Sequence, residues 1–455
     1  MLIHLSFLSK KAHGVVVISL LFGCTFGEPS RPKTIVLVVT DTLRADRLGV
    51  YGNENDATPF LDQLAQQGGY FNRAYAQSGW TLPSFVSLFT GLYPHEHRVV
   101  RSPTDLEVFG SLPQSTETLA ESLKKSGYRT GAFLNNTFLA PQFGLQQGFV
   151  HYDYEGADNT NFRSAFQTTD LALEWLKESE EETFLVVHYM EPHMHLEPPK
   201  DVRGTFSKGE LPVPFMTKHA FEYTNNPERR IPSFVSSVLD LYDEEVLYTD
   251  RAVERLVSGI KEQGRWDQTL FIFTSDHGEE FWDHGRFEHG HSLMGVLTRV
   301  PLIVTGYGIE KKGQQETLVE HVDLFRGILD VGKASIPKET RGESLFGILN
   351  TEETVERWSV SENTLYGDPM ISLVTPKHRV VVNQKTKSAR VWNVDKEGLD
   401  LRPVPDAEQN QRSKPLLSGL QGVRGHLNTI DEISGLSLPS QEAFQQLKAL
   451  GYLEE

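Results

Sequence analysis

The chain has 455 residues, which predicts one large domain with a smaller appendage, because single hydrophobic cores stop growing at about 250 to 300 residues. Hydrophobic residues make up 38% and charged residues 23% of the sequence, a composition typical of a globular protein and not of a disordered one. The formal net charge of −17 at pH 7 argues against nucleic-acid binding, which needs clustered Lys and Arg.

The N-terminus has the pattern of an export signal followed by a linker. A basic stretch precedes the apolar run 15–22, which is too short to span a bilayer and ends just before Cys24, the only cysteine. This order resembles a bacterial lipoprotein signal, so we expect residues 1–23 to be removed, Cys24 to be lipidated and residues 24–33 to form a linker. Ordinary secretion and an uncleaved anchor are the alternatives. The expected location is the bacterial envelope, in the periplasm or on the outer surface.

Three apolar runs predict buried strands, and polar residues follow each of them. The runs are TIVLVVT at 34–40, TFLVV at 183–187 and TLFIFT at 269–274. Helical patterns alternate with these strands at 59–67, 115–126 and 239–263. The alternation predicts an α/β fold with a mixed, largely parallel central sheet and helices on both faces. Ligands in such folds bind beyond the carboxyl ends of the strands, where the polar residues fall.

The C-terminal part of the sequence has a different pattern. A further strand at 301–304 and a helix at 320–331 complete a domain that we expect to run from 34 to 350. Beyond it, short β-rich runs alternate with turn residues, and a helical pattern comes last. We therefore expect residues 351–455 to form a small α+β subdomain with an antiparallel sheet. Its predicted elements are strands at 358–361, 370–374, 379–383 and 389–393 and a helix at 440–453.

Carboxylates follow two of the predicted strands. Asp41 comes directly after the first strand, and Asp276 and His277 follow the third, with Gly278 permitting a sharp turn. A buried carboxylate is costly unless a cation accompanies it, and adjacent Asp and His can reach one metal ion. Each motif alone also fits a capped helix or turn. Together they predict a metal site.

A hydroxyl and two groups of histidines complete the candidate chemistry. Thr81 begins a predicted helix, where backbone N–H groups favour an anion, although it could simply cap that helix. The histidines suit leaving-group protonation or metal binding, whereas a surface role is the default for any single one, above all His195 and His284. The two groups are His188, His193 and His195, and His284, His289 and His291.

The order and spacing of these motifs resemble the sulfatase family of the alkaline phosphatase superfamily. The resemblance runs from Thr34 to about Leu345, and TPKHRVVVN and LKALGYL resemble the family's C-terminal subdomain. The motifs that carry it are TDTLRADRLGVYG, TPFLDQLAQQG, WTLPSFVSLFTGLYPHEH, HYMEPH, TSDHGEEFWDHG, HGHSL, RVPLIV and HVDLF.

The resemblance implies a role for each matching residue. Asp41, Asp276 and His277 match metal ligands, and Thr81 matches the nucleophile, whose oxygen also contacts the metal. The implied cofactor is a divalent ion, Ca, Zn or Mn, at one site. A second metal site could draw on Glu191, His193, His289 and His291. His193 matches a His that contacts the transferred group or protonates the leaving oxygen. His289 or His291 lies near a position usually held by a Lys that binds that group.

Three departures from the family pattern change the expected chemistry. The stretch at 81–85, TLPSF, lacks both the convertible Cys or Ser and the Arg, so no formylglycine is expected. Thr42 stands where many sulfatases have another Asp ligand. AFLNN at 132–136 replaces the Lys and His that grip sulfate.

These departures favour phosphoryl over sulfate chemistry. A sulfated threonine lacks the second hydroxyl with which formylglycine expels sulfate, whereas a phosphorylated threonine can be hydrolysed beside a metal ion. We therefore expect a hydrolase of sulfate or phosphate esters, acting on a small-molecule, glycan or lipid-headgroup ester in a pocket shaped by the insertion 202–232. The alternatives are a transferase of phosphoryl headgroups onto envelope lipid or glycan, and a catalytically silent binding protein.

Overall fold

The computed structural model describes residues 31–155, 163–209, 211–350, 356–424, 430, 433–435 and 445. The predicted export signal and Cys24, the predicted lipidation site, lie outside the described residues, and so does the predicted helix at 440–453, of which the structure describes only residue 445. Among the residues that it does describe, no helix has the length and apolar character needed to cross a membrane.

Eighteen strands are present in the described part of the chain. In chain order they are β1 (Thr34–Thr40), β2 (Gly69–Phe71), β3 (Ala74–Tyr75), β4 (Arg129–Leu134), β5 (His151–Tyr154), β6 (Thr183–Tyr189), β7 (Thr269–Ser275), β8 (Glu280–Phe281), β9 (Phe287–Glu288), β10 (Arg299–Val300), β11 (Leu302–Gly306), β12 (Gly313–Gln315), β13 (Val319–Glu320), β14 (Ser359–Glu362), β15 (Met370–Val374), β16 (His378–Asn383), β17 (Ala389–Val394) and β18 (Asp400–Pro403).

The α-helices of the described residues vary from one turn to more than eight. They are α1 (Pro59–Gln67), α2 (Thr81–Thr90), α3 (Pro94–His97), α4 (Leu119–Lys125), α5 (Ala165–Lys177), α6 (Thr217–Asn225), α7 (Pro232–Glu262), α8 (Gly295–Thr298), α9 (His321–Val331), α10 (Leu345–Asn350) and α11 (Asp406–Arg424).

The central sheet has eight strands in the order β12-β2-β11-β7-β1-β6-β4-β5. The five strands from β7 to β5 are parallel, and β11 runs antiparallel to both of its neighbours. Strand β1 is buried along its whole length and apolar from Ile35 to Val39, as expected of a strand that is covered on both faces. Ile35, Leu37 and Val39 pack in one core with α2, α4 and α9, whereas Val36 and Val38 pack in a second core with α1, α5 and α7. The predicted α/β class, largely parallel sheet and two helical layers are confirmed.

The C-terminal strands β14 to β18 form a separate antiparallel sheet in sequence order, as predicted. Its apolar face packs under α11 and also against Tyr93 and Val322 of the preceding part of the chain. A buried ion pair joins Arg379 of β16 to Asp400 of β18, and the same guanidinium donates to the Leu293 carbonyl at 3.0 Å. The domain boundary near residue 350 stays a prediction.

Several predicted boundaries differ from the structure. Strand β6 continues to Tyr189, so His188 lies within the strand and not beyond it. Helix α7 begins at Pro232 instead of residue 239, because proline at the first helical positions suits a helix start. Helix α4 begins at Leu119, where the Thr118 side chain accepts a hydrogen bond from the Glu121 N–H and caps it.

Candidate metal centre

The sheet register brings Asp41 and Asp276 to the same edge. Thr40, the last residue of β1, pairs with Ser275, the last residue of β7, so the residue that follows each strand emerges side by side. The backbone is tied there, because the Asp276 N–H donates to the Thr40 carbonyl at 3.2 Å and the Asp41 N–H to the Tyr189 carbonyl at 2.9 Å. Both carboxylates are fully buried.

Hydrogen bonds occupy one oxygen of each carboxylate and leave the other one unpaired. Asp41 Oδ2 accepts from Asn136 Nδ2 at 2.6 Å. Asp276 Oδ1 accepts from the backbone N–H groups of Thr42 at 3.2 Å and His277 at 2.8 Å. Asp41 Oδ1 and Asp276 Oδ2 are buried and have no hydrogen-bond partner among the residues that the structure describes. Buried oxygens of this kind need a partner, and each carboxylate therefore presents one oxygen to a cation.

His277 supplies the third donor atom. Its Nδ1–H donates to the Gly278 carbonyl at 2.9 Å, which leaves the lone pair on Nε2. That Nε2 lies 3.4 Å from Asp276 Oδ2 and 3.8 Å from Asp41 Oδ1. Gly278 is required here because an added Cβ would meet the Val296 carbonyl oxygen at 2.0 Å. The three donor atoms lie within 4.8 Å of one another, a spacing that one divalent ion can bridge.

The electrostatics of the centre also fit a cation. Burial, reinforced by the adjacent Asp41 carboxylate, raises the pKa of Asp276 well above its usual range. Burial likewise lowers the pKa of the His277 imidazole to about 3, so this ring is neutral and able to bind a metal ion. Two carboxylates and a neutral imidazole are a donor set that zinc, manganese and calcium can accept to different degrees.

Thr81 lies against this donor set. It is the first residue of α2, is fully buried, and its Oγ1 lies 3.3 Å from His277 Nε2. Helix α2 begins at Thr81, so the positive end of its dipole lies beside the donor set, which favours a negative group there. Ser84, one turn into α2, donates to the Asp276 carbonyl at 2.5 Å and fixes the helix start on the strand end.

Two of the predicted histidines reach the centre. The ring centroid of His289 lies 4.6 Å from that of His277, and the ring centroid of His193 lies 5.1 Å from that of His289. His193 Nδ1 donates to the Met194 carbonyl at 2.5 Å, and His289 Nδ1 lies 3.0 Å from Glu279 Oε1. Burial raises the pKa of Glu279 to about 8, so this carboxyl group keeps its proton at neutral pH.

The other predicted histidines have different surroundings. His291 Nε2 contacts Glu280 Oε2 at 3.0 Å and lines a separate cavity. His284 is exposed and lines that same cavity, whereas His195 lies at the mouth of the metal centre. The structure therefore groups His193 and His289, but not His291, with the metal donors.

Two residues behind Asp41 were not identified as supports from the sequence. Asn136 appeared there only as a departure from the family pattern, yet its amide holds Asp41 Oδ2. His188 Nε2 lies 3.5 Å from that same oxygen. The Asn135 N–H donates to His188 Nδ1 at 3.4 Å, so the proton of a neutral ring lies on Nε2 and points to Asp41. Both residues lie at the carboxyl ends of strands, Asn136 after β4 and His188 in β6, and this position could have identified them from the sequence.

The mouth above the centre is narrow. Its cavity of about 10 Å³ has the size of one water molecule. Helix α6, from the insertion at 202–232, contributes Thr217, whose Oγ1 donates to Glu288 Oε1 across the mouth. The lining residues are His193, Met194, His195, Thr217, Glu288, His289 and Tyr366.

The fold and this centre together are those of an α/β protein with a buried site suited to a divalent cation. The sequence profile of the sulfatase family matches residues 33–334, and the chain belongs to that family. It is 23% identical over 446 residues to an arylsulfatase of Clostridium perfringens, covering 82% of this chain and 90% of the relative. It is 22% identical over 467 residues to an N-acetylgalactosamine-6-O-sulfatase of Bacteroides thetaiotaomicron, covering 85% and 90%.

A solved structure of a related activity class has the same fold. The phosphonate monoester hydrolase of Agrobacterium radiobacter superposes with a TM-score of 0.71 at 19% identity, covering 87% of this chain and 96% of that one. The family and its structural neighbours are ester hydrolases, and the expectation of an enzyme of that class is confirmed. The predicted sulfatase resemblance is confirmed as well.

Proposed function

We propose that the protein is a metal-dependent hydrolase of phosphate, phosphonate or sulfate esters, with Thr81 as the nucleophile and phosphoryl chemistry favoured. The observation that carries the proposal is the position of Thr81 Oγ1, 3.3 Å from His277 Nε2 and at the N-terminus of a buried helix. Two orphaned carboxylate oxygens complete the surroundings of that hydroxyl.

A divalent ion would be held by Asp41 Oδ1, Asp276 Oδ2 and His277 Nε2, with the Thr81 oxygen beside it. When bound, such an ion supplies Lewis acidity that favours the alkoxide of an attacking hydroxyl and the charge on the transferred group. Thr81 Oγ1 gives up its proton to solvent and attacks phosphorus, a Thr81–O–P bond forms, and the bond from phosphorus to the leaving oxygen breaks. The N–H groups at the start of α2 stabilise the oxygens of the transferred group.

His193 is the proposed general acid for that first step. Its Nδ1–H donates to the Met194 carbonyl, so the imidazolium form of His193 carries its second proton on Nε2, the atom that would transfer it to the leaving oxygen. Water then attacks phosphorus and gives one proton to His193 Nε2, the bond from phosphorus to Thr81 Oγ1 breaks, and phosphate or phosphonate leaves while Thr81 Oγ1 takes a proton from solvent. His289 lies beside His193 and His277, where it would position the substrate group.

The identity of residue 81 favours phosphorus over sulfur. A sulfated threonine has no second hydroxyl on its carbon, so its sulfate cannot be expelled by carbon–oxygen cleavage and must wait for attack by water. The phosphonate monoester hydrolase that shares this fold supports a phosphoryl substrate, and the sulfatase relatives support a sulfate ester on a small molecule or glycan. Export and lipid attachment through Cys24 belong to the proposal on the sequence pattern alone.

The test is a rate comparison on nitrophenyl esters: phosphate monoester, phosphodiester, phenylphosphonate monoester and sulfate. Each is assayed with Zn, Mn or Ca for the wild-type chain, Thr81→Ala and Thr90→Ala. Thr90 is a buried threonine at the other end of α2 whose Oγ1 donates to the Val86 carbonyl, and it serves as the matched control. We expect phosphoester turnover that Thr81→Ala abolishes and Thr90→Ala retains.

Other outcomes separate the alternatives. Sulfate turnover faster than phosphoester turnover would refute the argument from unmodified threonine. Turnover that survives in Thr81→Ala would refute the nucleophile. A third outcome is metal binding without Thr81-dependent hydrolysis of any ester. In that case, transfer of the phosphoryl group to an added alcohol acceptor would indicate a headgroup transferase. No transfer to the acceptor would indicate a catalytically silent binding protein.

A further inference from the structure

The insertion 202–232 carries two large apolar side chains on its outer surface. Among the described residues, seven large hydrophobic side chains are exposed, and two of them, Phe221 and Ile231, belong to this insertion. Phe221 is 60% exposed and Ile231 is 55% exposed. Single exposed apolar side chains are common on protein surfaces, so these two carry an argument only if their segment is built to present them.

The helix that carries Phe221 is packed firmly on the protein. On the inner side of α6, the stacked rings of Tyr223 and Phe234 have centroids 3.7 Å apart, and Trp282 Nε1 donates to Thr224 Oγ1 at 2.7 Å. The outer side of α6 is exposed at the helical period, at Lys218, Phe221, Glu222 and Asn225. A fixed helix therefore holds Phe221 in solvent.

Ile231 occupies a position where local chemistry favours a polar residue. It is the N-cap of α7, where a Ser, Thr, Asp or Asn side chain would accept a hydrogen bond from the helix N–H groups. The Ile231 side chain makes no such bond and is exposed. Neither capping nor solubility explains an isoleucine here, whereas insertion into an apolar medium would.

The same insertion is basic in an acidic chain. It has five Lys and Arg and three Glu, a net charge of +2, whereas the whole chain has −17. Among the described residues, Lys218 and Arg230 make no ion pair within 4.0 Å, and Arg229 pairs with Glu222. The charged residues of the insertion are Arg203, Lys208, Lys218, Arg229 and Arg230, and Glu210, Glu222 and Glu228.

The carboxylates of the elements packed against α6 have other partners. Glu288 accepts from Thr217 at the mouth of the metal centre, and Asp283 pairs with Arg44 at 2.9 Å. In α7, the first carboxylate is Asp240, more than two turns into the helix. The charge of the outer face is therefore that of the insertion itself.

We propose that the outer face of this insertion docks onto an anionic lipid bilayer, with Phe221 and Ile231 at the boundary of headgroups and acyl chains. A bilayer supplies both an apolar medium for these side chains and a negative surface for Lys218 and Arg230. The predicted lipid anchor would hold the chain at such a surface. Because α6 contributes Thr217 to the mouth of the metal centre, docking there would bring that mouth to the level of the headgroups.

The test uses a fluorescent dye that reports burial in lipid, attached at single cysteines. Cys24 is the only cysteine, so the full chain carrying Cys24→Ser takes the dye only where a cysteine is introduced. Phe221→Cys and Ile231→Cys place the dye on the proposed face. Leu106→Cys and Leu401→Cys are the matched controls, because these leucines are 55% and 64% exposed elsewhere in the chain.

The dye should report lipid only on the proposed face. With vesicles of phosphatidylglycerol and phosphatidylcholine, emission from positions 221 and 231 should shift to shorter wavelength, and spin-labelled lipid should quench it. Vesicles of phosphatidylcholine alone should need at least tenfold more lipid for the same shift. Lys218→Gln with Arg230→Gln should weaken binding to the anionic vesicles at least fivefold. The dye at positions 106 and 401 should stay in water.

Four results would overturn the proposal. They are no shift at positions 221 and 231 on anionic vesicles, an equal shift at the control positions, and equal binding by the charge variant. The fourth is a shift that appears without vesicles as the protein concentration rises, because a second copy of the chain would then cover this face. Turnover of soluble nitrophenyl esters does not depend on this face, so a failure of the ester assay bears on the proposed function alone.

Discussion

Replacing Asn136 by alanine should weaken metal binding without unfolding the protein. The Asn136 side chain is fully buried and oriented at both ends, because its Oδ1 accepts from the Phe138 N–H at 2.9 Å and its Nδ2 donates to Asp41 Oδ2 at 2.6 Å. This donor fixes which Asp41 oxygen remains for a cation. Asn136→Ala removes this hydrogen-bond donor and leaves Asp41 Oδ2 with His188 Nε2, which lies 3.5 Å away.

The expected magnitude follows from the type of hydrogen bond. A hydrogen bond to a charged group contributes about 1.5 to 3 kcal/mol. Since about 1.4 kcal/mol corresponds to a factor of ten in affinity, the loss predicts metal binding weaker by about 10- to 100-fold. Substitutions behind metal ligands in other proteins cost about 10- to 100-fold in metal affinity or activity, which is the same range.

The assay is competition between the protein and a chelating dye for Mn or Zn, with thermal unfolding of the same samples. The control is Asn72→Ala, another buried asparagine, whose Nδ2 donates to the Lys396 carbonyl at 3.2 Å away from the centre. We expect Asn72→Ala to retain metal affinity. If Asn136→Ala bound the ion within twofold of wild type while remaining folded, Asp41 would not depend on this donor and the assignment of its metal-facing oxygen would be wrong.

Three further predictions concern acid stability, the C-terminal sheet and the proposed acid. Burial lowers the pKa of His97 to about 3, so the contribution of His97 to stability should fall by about 1.4 kcal/mol per pH unit between about pH 6.5 and pH 3, and His97→Gln should remove that contribution in melting experiments. Arg379→Ala leaves the buried Asp400 unpaired and should cost about 3 to 5 kcal/mol in urea unfolding. His193→Ala should slow the hydrolysis of alkyl phosphoesters by about 100-fold or more and that of nitrophenyl esters far less, because only a basic leaving oxygen needs a proton from His193. Equal losses for both esters would refute the assignment of His193 as the general acid.

The sequence predicted the central strands because buried parallel strands are apolar without interruption, as β1 is in TIVLVVT. It also predicted which residues meet, since Asp41 and Asp276 follow neighbouring strands. Helix α11 was not predicted, because it carries Pro415 inside and has no clear apolar stripe. Asn136 was not predicted either, since a donor that serves a carboxylate 95 positions away leaves no local pattern.

The charge of the centre bears on which ester it would turn over fastest. Thr42 replaces a carboxylate with a side chain that adds no charge, and its backbone N–H serves Asp276 Oδ1 instead. Two carboxylates balance one divalent ion, and AFLNN supplies no cation to offset further negative charge. A dianionic phosphate monoester would leave two uncompensated charges in a buried site, whereas a phosphodiester or phosphonate monoester leaves one, and uncompensated buried charge is costly. We therefore expect the monoanionic phosphorus esters to be turned over faster than the phosphate monoester, and the reverse order would show that a further cation belongs to the centre.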